Sequence, residues 1–273
     1  MKIDDIQPAH CHARAQRLLG ELELVRDELG RTKDTRPVPE VTGAAPREVY
    51  FEAIAAWHKA DRLAGEVGAR TGRAAPPAPV LGALKPGHCL QLIDGVLAQI
   101  EDVKARLHIA EKAPEPAVEP SRQPSDVLVT LVRINRELSR TLETPFTPAD
   151  VYRVVALATA YASRLGAHAD PAPFERKRKP ADCYARLEAC LAAVGAKLAK
   201  QGGTTLAARG TPADIQPTDV YDLANLVLGE VAYLHSMTPN AQPVQAFEPG
   251  GRGFRLPADV HQLAKTLELA LRS

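Results

Sequence analysis

The chain is poor in aromatic residues and cysteines and has no excess of charge of either sign. Aromatic residues make up 4% of its 273 residues, and four cysteines are too few for a disulfide scaffold. The 34 Lys and Arg residues almost balance the 33 Asp and Glu residues, which gives a net charge of +1. Binding to nucleic acid through its phosphates needs a strongly basic surface, so we expect no nucleic-acid partner.

Long apolar runs and known catalytic motifs are also missing from the sequence. No stretch approaches the roughly 18 to 20 apolar residues of a membrane span. Residues 1–6 contain no apolar segment typical of a signal peptide. We therefore expect a soluble chain, either cytoplasmic or exported as a mature chain. Phosphate-binding glycine loops, nucleophile elbows and the Glu-x-x-His pairs of di-iron bundles are absent, so we expect no cofactor and no catalytic activity.

The 23 prolines, which outnumber the 18 glycines, contain a repeat. The motif Pro-x-[Asp/Glu/His]-[Val/Cys] occurs eight times, and its copies begin at Pro8, Pro46, Pro86, Pro124, Pro148, Pro180, Pro217 and Pro257. Proline suits the first position of a helix, where its missing N–H group has no partner to lose. An acid two residues later lies in the first turn, which favours negative charge. The motif therefore predicts eight helix starts.

Apolar residues follow every one of these prolines in the same register, alternately four and three residues apart. After Pro86, for example, they are Cys89, Ile93, Val96, Ile100, Val103 and Leu107. This spacing is typical of the apolar seam of helices that pack side by side. It predicts an all-α fold of eight antiparallel, up-and-down amphipathic helices in a helical repeat, each about 18 to 24 residues long, with no strand.

Two groupings of the eight helices fit the sequence. In the first, residues 1–143 and 144–273 form tandem four-helix bundles, either separate or packed as one continuous domain. In the second, the similar motifs at Pro86 and Pro180 each begin a triplet of helices. Closed cores favour the tandem bundles. Many of the other prolines lie in the connectors, such as residues 113–123, which we interpret as extended polyproline-like segments.

His10, Cys11, His88 and Cys89 are candidate metal ligands, because two copies of the motif have His-Cys where others have Asp-Val. Adjacent residues of a helix point about 100° apart, so a metal site would need ligands from both copies. Each cysteine also takes the position that holds valine in other copies. We therefore favour the alternative, in which the cysteines are buried thiols and the histidines lie at the surface.

Three glutamates, Glu21, Glu137 and Glu230, lie thirteen residues after their prolines, each beside an apolar seam residue. Such a carboxylate either accepts hydrogen bonds from a neighbouring loop or is a solvated acid next to the seam. The sequence alone does not distinguish these alternatives, and we favour the solvated acid.

The sequence supports two hypotheses about function. Eight equivalent helices without a catalytic motif predict a non-enzymatic structural or protein–protein interaction module, with a protein partner or through self-association. Trp57, Phe247 and Phe254 are the candidate interaction residues, because aromatic side chains often dominate interfaces. The alternative is a sensor-type helical domain that binds a small molecule or a metal.

Overall fold

The helices predicted from the proline motif are present. A computed structural model describes residues 2–38, 40–70, 72–74, 80–209, 214–239, 241–242, 244 and 253–273. Within these residues, the eight α-helices are α1 (Pro8–Glu28), α2 (Pro46–Glu66), α3 (Pro86–Arg106), α4 (Pro124–Thr141), α5 (Pro148–Arg164), α6 (Pro180–Lys200), α7 (Pro217–Ser236) and α8 (Pro257–Arg272). The all-α fold and all eight starts are confirmed. With 17 and 16 residues, α5 and α8 are shorter than predicted.

The helices divide into two groups of four. Unit 1 comprises Met1–Pro79, Ala83–Thr144 and Leu206–Pro212, and unit 2 comprises Val80–Gly82, Pro145–Thr205 and Ala213–Ser273. In unit 1, α1 and α2 each pack against α3 and α4, and in unit 2, α5 and α6 each pack against α7 and α8. The two units therefore repeat one topology, in which the first and second helices of the unit lie diagonally opposite each other in the four-helix bundle.

The Asp, Glu or His of the motif is the third residue of each helix and caps its N-terminus. Its side chain accepts a hydrogen bond from the backbone N–H group of the residue before the proline. In α4, Gln123 N donates to Asp126 Oδ2 at 2.8 Å, and the other helices repeat this bond. Only Thr147, among the residues that precede these prolines, adds a side-chain cap of its own, to Asp150 N. One side chain thus satisfies a backbone donor that the helix itself cannot.

The helices of unit 1 run parallel, so the predicted antiparallel direction is wrong. Cys11 Sγ in α1 donates to the carbonyl of Pro86, the first residue of α3, at 3.2 Å. Cys89 Sγ in α3 donates to the carbonyl of Pro46, the first residue of α2, also at 3.2 Å. First-turn residues of all four helices surround one cavity of about 10 Å³, lined by Pro8, Cys11, Pro46, Val49, Pro86, Cys89, Pro124 and Val127. All four N-termini therefore meet at one end.

Unit 2 has the same parallel arrangement. Cys183 Sγ in α6 donates to the carbonyl of Pro257, the first residue of α8, at 3.1 Å. The Arg255 guanidinium, just before α8, lies 4.3 Å from the centre of the Tyr152 ring in the first turns of α5. Near the other end, the ring of Tyr161 in α5 contacts that of His235 in α7. First turns thus contact first turns, and C-terminal halves contact C-terminal halves, which requires a common direction.

Long connectors make the parallel arrangement feasible. A 21-residue helix such as α1 is about 31 Å long, so the chain must return that distance before the next helix begins. The segments that join consecutive helices of a unit, here called return segments, are residues 29–45, 67–85, 107–123, 165–179, 201–216 and 237–256. Residues 29–45 alone could extend to about 55 Å. This reach is the physical reason why the up-and-down prediction fails.

Two short strands contradict the prediction of no strand. Strand β1 (Glu40–Thr42) and strand β2 (Ala207–Arg209) pair antiparallel, with Val41 opposite Ala208. Both belong to unit 1, where β1 contacts α4. Three residues are too few to produce the alternating pattern by which a strand is recognised in a sequence.

Candidate functional site

Glu21 binds a return segment from the middle of α1. Its side chain is buried, and its Oε1 accepts a hydrogen bond from the backbone N–H group of Ala113 at 3.3 Å. Lys104 Nζ in α3 donates both to Glu21 Oε2 and to the carbonyl of Glu111. One buried ion pair therefore holds residues 107–123 against α1 and α3.

Glu137, in the middle of α4, binds the return segment 29–45. Its Oε1 accepts from the backbone N–H group of Asp34 at 3.1 Å, and its Oε2 accepts from the Arg26 guanidinium at 3.3 Å. Glu230 in α7 is also buried. The prediction that these three glutamates are solvated is therefore wrong. Glu21 and Glu137 instead accept hydrogen bonds from a neighbouring segment, which was the other alternative.

His10 and His88 take the place of the first-turn acid in α1 and α3. His10 Nδ1 accepts from the backbone N–H group of Gln7 at 3.0 Å, and His88 Nδ1 accepts from that of Lys85 at 3.1 Å. An imidazole that accepts through Nδ1 is neutral and has its proton on Nε2. The histidines thus have the same local role as Asp126 in α4.

The four cysteines are buried thiols, as predicted. Burial raises the pKa of Cys11 to about 12, and it raises the pKa of Cys89 well above the usual range. A metal ligand or nucleophile is the thiolate, which such burial disfavours. In the part of the chain that the structure describes, no group of three or more His, Cys, Asp or Glu side chains could hold a metal ion. Cys11 and Cys89 do line one cavity, but their thiols donate to proline carbonyls.

The two candidate interaction residues that the structure describes differ in exposure. Trp57 is 6% exposed, so its indole is a buried group, whereas Phe254 is 88% exposed. Phe247 lies outside the described residues. Of the two candidates within the described residues, Phe254 is the one that a partner could reach.

Gly95 in α3 leaves space for the Trp57 ring of α2. A Cβ atom at Gly95 would lie 2.1 Å from Trp57 Cζ3, whereas one at Gly195 in α6 would be 3.8 Å from its nearest neighbour, the Thr205 methyl group. We expect Gly95→Ala to destabilise the protein by about 1–3 kcal/mol through overpacking. Gly195→Ala, the matched control, should stabilise it by about 0.5–1 kcal/mol because alanine favours a helix. Urea denaturation of both variants measures this, and equal changes would contradict the contact.

A pocket of about 310 Å³ lies in unit 1 between α1, α4 and the return segment 29–45. It is lined by Leu19, Glu23, Lys33, Asp34, Thr35, Arg36, Pro37, Val38, Arg133, Arg136 and Glu137. Sequence reasoning missed it, because residues 33–38 have no motif and lie beside α4 only when the helices are parallel. The side chains of Arg133 and Arg136 reach the pocket from adjacent turns of α4.

Most charges around this pocket are paired. The Arg36 guanidinium binds both oxygens of Asp34, with its closest nitrogen at 2.7 Å. Burial raises the pKa of Asp34, but the hydrogen bonds from Arg36 outweigh it and leave that pKa below its ordinary value. Arg136 is 4% exposed and donates to the carbonyls of Arg36 and Pro37 at 3.2 and 3.0 Å. Arg133 is exposed and has no hydrogen bond or ion pair with any described residue.

Comparison of the chain with family models, with curated proteins and with solved structures finds no match. Among the described helices, none is both long and apolar enough to cross a membrane. A fold alone does not imply a function, because function depends on the chemistry of particular surfaces and pockets.

Proposed function

We propose that the protein is a non-enzymatic helical-repeat protein that serves as a structural or protein–protein interaction module, through a protein partner or self-association. The observation that carries the proposal is the exposure of two large apolar side chains just before α8. Phe254 is 88% exposed, and Leu256 is 46% exposed. Burial of a phenylalanine side chain contributes about 1.5–3 kcal/mol, so a partner that covers Phe254 would gain affinity from it.

The polar groups of the repeat are consistent with a scaffold. First-turn side chains such as His10 and Asp126 cap their own helices, while Glu21 and Glu137 bind return segments. These groups build the parallel bundle, which presents segments such as residues 253–256 on rigid helices. Rigid helical repeats are well suited to such presentation.

The test compares Phe254→Ser with Phe174→Ser, whose parent side chain is 46% exposed in the return segment 165–179. We expect sedimentation to detect self-association of the full chain, or affinity capture followed by mass analysis to find a stoichiometric partner. Phe254→Ser should weaken that association by about tenfold or more, and Phe174→Ser should leave it unchanged. A monomeric wild-type chain without a partner, or equal binding by both variants, would count against the proposal.

A second candidate function is a domain that binds a small molecule. The pocket between α1, α4 and residues 29–45 favours it, because about 310 Å³ is at the lower end of the volumes of small-ligand sites. A ligand of this pocket would raise the thermal midpoint of the chain through binding to the folded state.

A further inference from the structure

The pocket between α1, α4 and residues 29–45 has more positive than negative charge around it. Its lining includes four cationic side chains, Lys33, Arg36, Arg133 and Arg136, and three carboxylates, Glu23, Asp34 and Glu137. The chain as a whole has a net charge of only +1. The excess around the pocket is therefore a local feature.

Each carboxylate of this set already has a cationic partner. Glu23 pairs with Lys33, and Asp34 pairs with Arg36 and, at 3.7 Å, with Arg140. Arg26 pairs with Asp27 at 2.5 Å and with Glu137 at 3.3 Å. An anion that entered the pocket would thus meet carboxylates whose charge is largely compensated.

Arg133 supplies positive charge that no described carboxylate binds, and Arg136 supplies positive charge at a fixed position. The Arg136 guanidinium is buried and fixed by its hydrogen bonds to the carbonyls of Arg36 and Pro37. Arg133, one turn earlier on α4, lines the pocket without a hydrogen bond or ion pair to a described residue. Its planar guanidinium can bind a carboxylate or a phosphate through two parallel hydrogen bonds.

We propose that this pocket binds a small organic anion that carries carboxylate or phosphate groups, with Arg133 as its direct partner. Arg136 adds a fixed positive charge behind the ligand. Leu19, Pro37 and Val38 provide apolar contacts for its carbon skeleton. The volume of the pocket suits a small molecule rather than a protein segment. The proposal deepens the small-molecule candidate and is independent of the role of Phe254.

The experiment is calorimetric titration of the full chain with citrate and with inorganic pyrophosphate, with glycerol as a neutral probe. We expect one of the two anions to bind with a Kd below about 1 mM and glycerol not to bind. Arg133→Gln should weaken binding at least about tenfold, and Arg133→Lys less. Arg106→Gln is the matched control, since Arg106 is also exposed in unit 1 and has no ion pair with a described residue.

The outcomes separate the sources of the anion and can overturn the proposal. Binding of citrate alone assigns a carboxylate ligand, and binding of pyrophosphate alone assigns a phosphate ligand. Equal loss in Arg133→Gln and Arg106→Gln would show nonspecific charge attraction and overturn the site. Failure of both anions overturns it as well, and so does tighter binding of a polyglutamate peptide, which would indicate an acidic protein segment instead. None of these results depends on the Phe254 variants, so each proposal can fail alone.

Discussion

Replacement of Leu131 by alanine is expected to lower the free energy of unfolding by about 2–5 kcal/mol. Leu131 lies on the seam of α4 and has no exposed surface. Its truncation removes apolar contacts and leaves a cavity that the closely packed neighbouring helices can fill only in part. Urea denaturation followed by circular dichroism measures the change, and Ile100→Ala in α3, equally buried, should behave alike.

Leu269→Ala in α8 is the matched control for this large effect. The Leu269 side chain is 46% exposed, so its truncation should change the free energy of unfolding by no more than about 0.5 kcal/mol. If Leu131→Ala and Leu269→Ala were equally mild, the heptad register of α4 would be misassigned.

Glu21→Leu should cost about 3–5 kcal/mol, because it breaks a buried ion pair from one side. The Lys104 side chain is 7% exposed and would keep its charge with only the carbonyl of Glu111 as a partner. The backbone N–H group of Ala113 would also lose its acceptor. Residues 107–123 should therefore become easier to detach, and faster hydrogen exchange at Ala113 would report it.

Two further variants test whether the buried pair causes this loss. Glu101→Ala removes an exposed carboxylate that lies 3.4 Å from Arg17, and it should cost less than about 1 kcal/mol. The double replacement of Glu21 and Lys104 by leucine should recover most of the stability, because no unpaired charge remains. A loss for Glu21→Leu no larger than for Glu101→Ala would argue that the pair contributes little.

The positions of the helices could be predicted because the local chemistry repeats. Proline at the first helical position and an acceptor two residues later are sufficient to place a start such as Pro124 or Pro217. His10 and His88 follow the same rule, and their position in the motif was a signal of their capping role. The seam then identified buried residues such as Leu131 without any knowledge of the fold.

Helix direction could not be predicted from the seam, because parallel and antiparallel helices can bury the same heptad positions. The signal that was available is the length of the connectors. Antiparallel neighbours in bundles are usually joined by two to eight residues, and residues 29–45 and 107–123 are much longer. Their prolines indicated extended chain, but the distance that such chain can span was the stronger clue.

The buried glutamates and the pocket depend on that direction. Glu21 meets Ala113, and Glu137 meets Asp34, only because a return segment runs back along the helices. The spacing of these glutamates in the sequence identified equivalent positions but not their partners. The pocket residues 33–38 could be recognised as neighbours of Arg133 only in three dimensions.

The parallel direction of the helices also gives each unit an electric polarity. Backbone dipoles cancel between antiparallel neighbours, but four parallel helices add to about two positive charges at one end and two negative charges at the other. Unit 2 opposes its positive end with Asp150, Asp182, Asp219 and Asp259. In unit 1 two of the four capping positions hold the acids Glu48 and Asp126, and the other two hold His10 and His88. The capping side chains of unit 1 therefore offset less of the helix dipoles than those of unit 2, a difference that the balanced composition of the chain conceals.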